Sequence, residues 1–131
     1  MEIHIEIIGW LFMTLSGIHV IFPGYFKWKT ELVGLSLMNR QMMYVHTFFI
    51  ALTVFLMGLL CVTSSELLVT SELGKNVTLG LAVFWTVRLF IQFFVYSKDL
   101  WRGKAFETSV HILFAFLWLY CSGVFWMTYL L

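Results

Sequence analysis

Apolar residues run almost unbroken through four stretches of the chain, at about 5–22, 43–64, 77–96 and 109–130, and charged residues gather between them. Each stretch is close to the roughly 20 residues that a helix needs to cross a bilayer. The pattern therefore predicts four transmembrane helices rather than the amphipathic stripes of a soluble fold. Thirteen of the fifteen charges lie outside the stretches; the exceptions are Glu6, just inside the first, and Arg88, in the middle of the third. The one proline, Pro23, is followed by Gly24 just past the first stretch, where a helix stop is expected. Connectors 23–42, 65–76 and 97–108 are short, which favours an all-α, up-down-up-down four-helix bundle and a single transmembrane domain over residues 1–131. The repeated Ser-Glu-Leu at 65–67 and 71–73 before Gly74 allows at most a short, half-buried helix in the middle connector.

Composition points the same way. The chain is 61% hydrophobic and 11% charged, against about 45–50% apolar and about 25% charged in soluble domains, too much apolar surface for a core of this size to hide. A net charge of +1 without any basic run excludes a nucleic-acid partner, and no phosphate-cradling glycine loop is present. Cys61 and Cys121 are 60 residues apart inside apolar stretches, so they read as buried core rather than as redox or disulfide chemistry. The start Met1-Glu2-Ile3-His4 lacks the cationic region of a cleaved signal, so the first stretch is expected to stay as a helix.

Charge also predicts sidedness. Connector 23–42 carries Lys27, Lys29 and Arg40, and connector 97–108 carries Lys98, Arg102 and Lys104, whereas 65–76 has Lys75 beside Glu66 and Glu72. Short basic loops stay cytoplasmic, which places connectors one and three inside, and the middle connector and both termini outside. Tyr25, Phe26, Trp28 and Trp101 then read as an interfacial aromatic belt. Asn76-Val77-Thr78 matches a glycosylation sequon. Gly9, Gly17, Gly58, Gly80 and Gly123 are expected to allow close helix approach, although no GxxxG supports a dimer. Thr14, Ser16 and Thr53 are expected to bond within their own helices.

The unexpected residues are polar ones inside the apolar stretches. His19, His46 and His111 each fall about three residues or fewer from the inner end of their stretch, so the rise of about 1.5 Å per residue puts them within roughly one turn of a common level. Three helices then offer one imidazole each, the arrangement a bundle uses to build a site. Glu107 is four residues before His111 and could fix its tautomer, as carboxylates do behind metal-bound histidines. The plainer reading keeps each histidine as an interfacial or hydrogen-bonded residue and Glu107–His111 as an ordinary helical pair. Arg88 costs roughly 2.5–3.5 kcal/mol at a helix centre, so it should face the protein interior and have a partner. Along its face stand Trp85, Gln92 and Tyr96, a cation–π candidate and two hydrogen-bonding groups. The direction of the third helix suggests that Arg88 leans away from the histidine level by more than a turn, so that a large ligand could bridge the two.

Four segments, GIHVIFP at 17–23, QMMYVHTFF at 41–49, WTVRLFIQFF at 85–94 and LWRGKAFETSVH at 100–111, together resemble small four-helix membrane proteins of bacteria that have no assigned function. The resemblance implies a bacterial inner membrane. A histidine near a span end together with an arginine is also similar to small haem-binding membrane oxidoreductases of porphyrin metabolism, but the order of motifs differs and no residue roles carry over. Two classes of function follow. One is an accessory or scaffold subunit of a membrane assembly, with the lipid bilayer and a larger complex or a second copy as partners. The alternative is a binding or redox protein holding haem b or a transition metal through His19, His46, His111 and Glu107. In that case Arg88, Gln92 and Tyr96 would contact a propionate, a quinone or a lipid.

Overall fold

The computed structural model describes residues 1–95 and 103–131. All regular structure among them is helical: α1 (Glu2–Tyr25), α2 (Trp28–Glu31), α3 (Leu37–Thr63), α4 (Ser65–Thr70), α5 (Glu72–Phe94) and α6 (Ala105–Leu130). Helices α1, α3, α5 and α6 are long and apolar enough to cross a membrane, so the chain is a multi-pass membrane protein. They begin three to six residues before their apolar stretches because polar first turns extend a helix without adding hydropathy. Serines make two of these starts. The Ser36 hydroxyl accepts from the Asn39 N–H at 3.2 Å before α3, and Ser71 accepts from the Gly74 N–H at 2.8 Å before α5.

Pro23 does not stop α1, which continues to Tyr25. In the last turn a proline removes only its own N–H from the ladder, and the Phe26 N–H still closes on the Phe22 carbonyl at 2.9 Å. The break comes at Lys27, which adopts the left-handed conformation at φ 53° and ψ 50°. The expected short helix of the middle connector is α4.

The chain divides into two compact units, Glu6–Ser65 and Met1–Ile5 with Glu66–Leu131. In the first, α1 and α3 run antiparallel: Ser65 Oγ donates to Glu6 Oε1 at 3.1 Å, and Gly9 lies against Gly58 further in. A Cβ added at Gly58 would stand 2.6 Å from the Gly9 carbonyl oxygen, and one at Gly9 would stand 2.7 Å from that of Gly58. The approach expected of five glycines is confined to this pair, since Gly17, Gly80 and Gly123 face open space. Ile8, Phe12 and Cys61 are fully buried here. Trp28 is buried too, edge-on to Tyr44 with ring centroids 5.3 Å apart. Thr14, Ser16 and Thr53 bond to carbonyls of their own helices, as expected.

In the second unit α5 and α6 pair antiparallel, bringing Gln92 to His111 and Trp85 to Trp118. Ala82, Cys121 and Phe125 are fully buried, and both cysteines of the chain are buried, as their apolar setting predicted. His4 Nδ1 lies 2.8 Å from the Tyr120 hydroxyl. In the sequon Asn76 is exposed, while Thr78 is fully buried within α5, its hydroxyl donating to the Lys75 carbonyl.

Candidate functional site

A cluster of polar side chains joins α5 to α6. On α5, Trp85, Arg88 and Gln92 follow the spacing i, i+3, i+7; on α6, His111, Phe114 and Trp118 follow the same spacing. Antiparallel pairing turns these two stripes toward each other. Arg88 Nη1 donates to Gln92 Oε1 at 3.2 Å, and Gln92 Nε2 lies 2.8 Å from His111 Nδ1. With the amide oxygen used by the guanidinium, the amide nitrogen donates to His111, which places the ring proton on Nε2. Gln92 is buried, and Arg88 and His111 are half-buried. One buried amide thus satisfies a cation on its own helix and an imidazole on the next.

Aromatic rings surround this relay. The Arg88 guanidinium carbon lies 5.2 Å from the Trp118 ring centroid. Trp118 stacks on Trp85 with centroids 4.9 Å apart and planes 19° from parallel, and on Phe114 at 5.6 Å and 22°. Phe93 meets the His111 ring edge-on at 6.0 Å. A desolvated cation–π contact contributes about 2 kcal/mol, which offsets a large share of the roughly 2.5–3.5 kcal/mol cost of an arginine at mid-span. Toward the other end of the pair, Trp126 Nε1 donates to Thr86 Oγ1 at 2.8 Å as a further cross-link.

His19, His46 and Glu107 have local surroundings of their own. His19 Nδ1 donates to the Leu15 carbonyl of its own helix at 2.8 Å, and its ring packs on Phe22. His46 is exposed on α3, and Glu107 is exposed on the first turn of α6. Among the described residues no three His, Cys, Asp or Glu side chains stand close enough to share a metal ion. Tyr96 lies outside the described residues, as do Lys98, Trp101 and Arg102 of the third connector. One expectation about Arg88 changes: it does not lean away from His111 but reaches it through Gln92, because an arginine side chain extends a full turn and meets the amide at i+4. It also meets Trp118 on the neighbouring helix, a contact the sequence reading did not name. The i, i+3, i+7 spacing shared by 85, 88, 92 and by 111, 114, 118 is the signal that could have pointed to Trp118.

No protein-family model, curated protein or solved structure matches the chain.

Proposed function

We propose that the protein is an accessory subunit of a membrane assembly, in which the Arg88–Gln92–His111 relay fixes the register of α5 against α6. The observation that carries this reading is that the relay is occupied by its own members. Arg88 is engaged by Gln92 and Trp118, and the Gln92 amide is divided between Arg88 and His111. A polar group committed in this way sets register between apolar helices, where sliding by one turn would strand a cation in hydrocarbon. Exposed apolar side chains such as Ile112, Leu113, Phe116 and Leu119 continue around α6 and suit lipid or a partner helix. The proposal includes one transmembrane domain running up-down-up-down, with connectors one and three cytoplasmic, in a bacterial inner membrane.

The test is an optical spectrum, oxidised and then dithionite-reduced, with elemental analysis of the detergent-purified protein, beside cross-linking in native membranes at native abundance. The expected result is no haem band and no stoichiometric metal, one stoichiometric membrane partner, and only modest destabilisation on replacing His19, His46 or His111 by Ala. A Soret band that sharpens on reduction, or a metal lost in any one of those variants, overturns the accessory reading in favour of a haem or metal protein. A colourless protein that cross-links to no partner and retains a quinone through Arg88 overturns it in favour of a small-ligand carrier.

A further inference from the structure

Away from this relay, Trp28, Lys29, Leu37, Arg40, Gln41 and Tyr44 line a groove of about 320 Å³ between α2 and the first two turns of α3. That volume is at the lower end of what small-ligand sites enclose, roughly 300–1,000 Å³. Its wall holds two cations and no carboxylate: Glu31, the acidic residue of α2, is exposed and outside the lining. Arg40 and Lys29 both line the groove, and a guanidinium offers paired donors that match two oxygens of one phosphate or carboxylate. The other side of the groove is apolar, formed by Leu37 and by Trp28 edge-on against Tyr44. Lys27 holds the left-handed turn that starts α2, and so brings both Trp28 and Lys29 to the groove. A left-handed non-glycine residue is strained by about 1 kcal/mol or more.

We propose that this groove binds the phosphate of an anionic phospholipid, with Arg40 and Lys29 on the phosphate and the Trp28–Tyr44 wall against the glycerol and the start of the acyl chains. Two features favour a lipid over free phosphate. The groove opens beside α3 just before the apolar stretch begins, where headgroups lie. Its aromatic wall would also be left bare by an inorganic ion. The site does not depend on the accessory reading, because it shares no residue with the relay.

The experiment is native mass spectrometry of the whole detergent-purified protein titrated with phosphatidylglycerol, with phosphatidylcholine and with inorganic phosphate. One phosphatidylglycerol per chain is expected, preferred over phosphatidylcholine. Arg40→Gln and Lys29→Gln should each weaken binding about tenfold, the effect of losing one hydrogen bond to a charged group. Arg40→Lys, which keeps the charge and loses the fork, should fall between, and Lys75→Gln should leave binding unchanged. Helix content by circular dichroism confirms that each variant is folded. Equal binding of the two lipids, or binding unaffected by either Gln variant in folded protein, overturns the proposal. Displacement of the lipid by millimolar inorganic phosphate keeps the phosphate site but overturns its assignment to a lipid.

Discussion

Gln92 is the residue on which the α5–α6 pair turns, although Arg88 is the more conspicuous one. Replacing Gln92 by Leu removes the amide between Arg88 and His111 and leaves a cation at mid-span with less to hold it. Arg88→Leu loses the same hydrogen bond but also removes the cost of placing the cation there. The expected outcome is an inversion: Gln92→Leu destabilises by about 1–2 kcal/mol, and the double variant Gln92→Leu/Arg88→Leu is more stable than Gln92→Leu alone. Unfolding of detergent-solubilised protein in a denaturing-detergent titration measures both, and a double variant no better than the single one would show that Arg88 and Gln92 do not act as a unit. The sequence makes Arg88 and Gln92 visible because polar groups stand out in an apolar run. It hides Trp118, because one tryptophan among six has no special status until the opposite helix is aligned with it.

Among the helices, the contrast between Gly58 and Gly123 separates close packing from simple absence of a side chain. Gly58 touches the backbone of α1, so Gly58→Val should cost about 1–3 kcal/mol through overpacking. Gly123 has open space around its Cα, and Gly123→Ala should be neutral or stabilising by about 0.5–1 kcal/mol through helix propensity. The same titration checks both; equal losses would remove the distinction. The four long helices were legible from hydropathy alone, since nothing but a helix satisfies its backbone over such a run. The ends were less so, because Pro23 near a C-terminus is tolerated and the real break depends on the conformation of Lys27. Nor could composition show which glycines meet another helix, a property of pairing rather than of residue type.

For the molecule as a whole, the distribution of Lys and Arg predicts its topology. Because Cys61 and Cys121 are fully buried, single cysteines can be introduced into the natural sequence without removing them. In right-side-out vesicles, a membrane-impermeant maleimide should label Glu66→Cys in α4 and spare Gly34→Cys between α2 and α3 until the membrane is opened. The reverse pattern would invert the topology, and would put the phosphate groove on the outer face. The three-histidine level expected across the chain depended on helix ends and on the direction in which each ring points. His19 turns to its own backbone and His111 to Gln92, choices made by hydrogen bonds that spacing does not encode.

The relay also has a consequence for biogenesis. All its members belong to one helical hairpin, and Arg88 precedes its aromatic partner Trp118 by thirty residues. During synthesis α5 therefore reaches the insertion machinery before the indole that will cover its cation exists. A lone α5 carries the full cost of Arg88 in lipid, while the hairpin does not. Entry is then more favourable when α5 and α6 partition sideways together than when α5 goes alone.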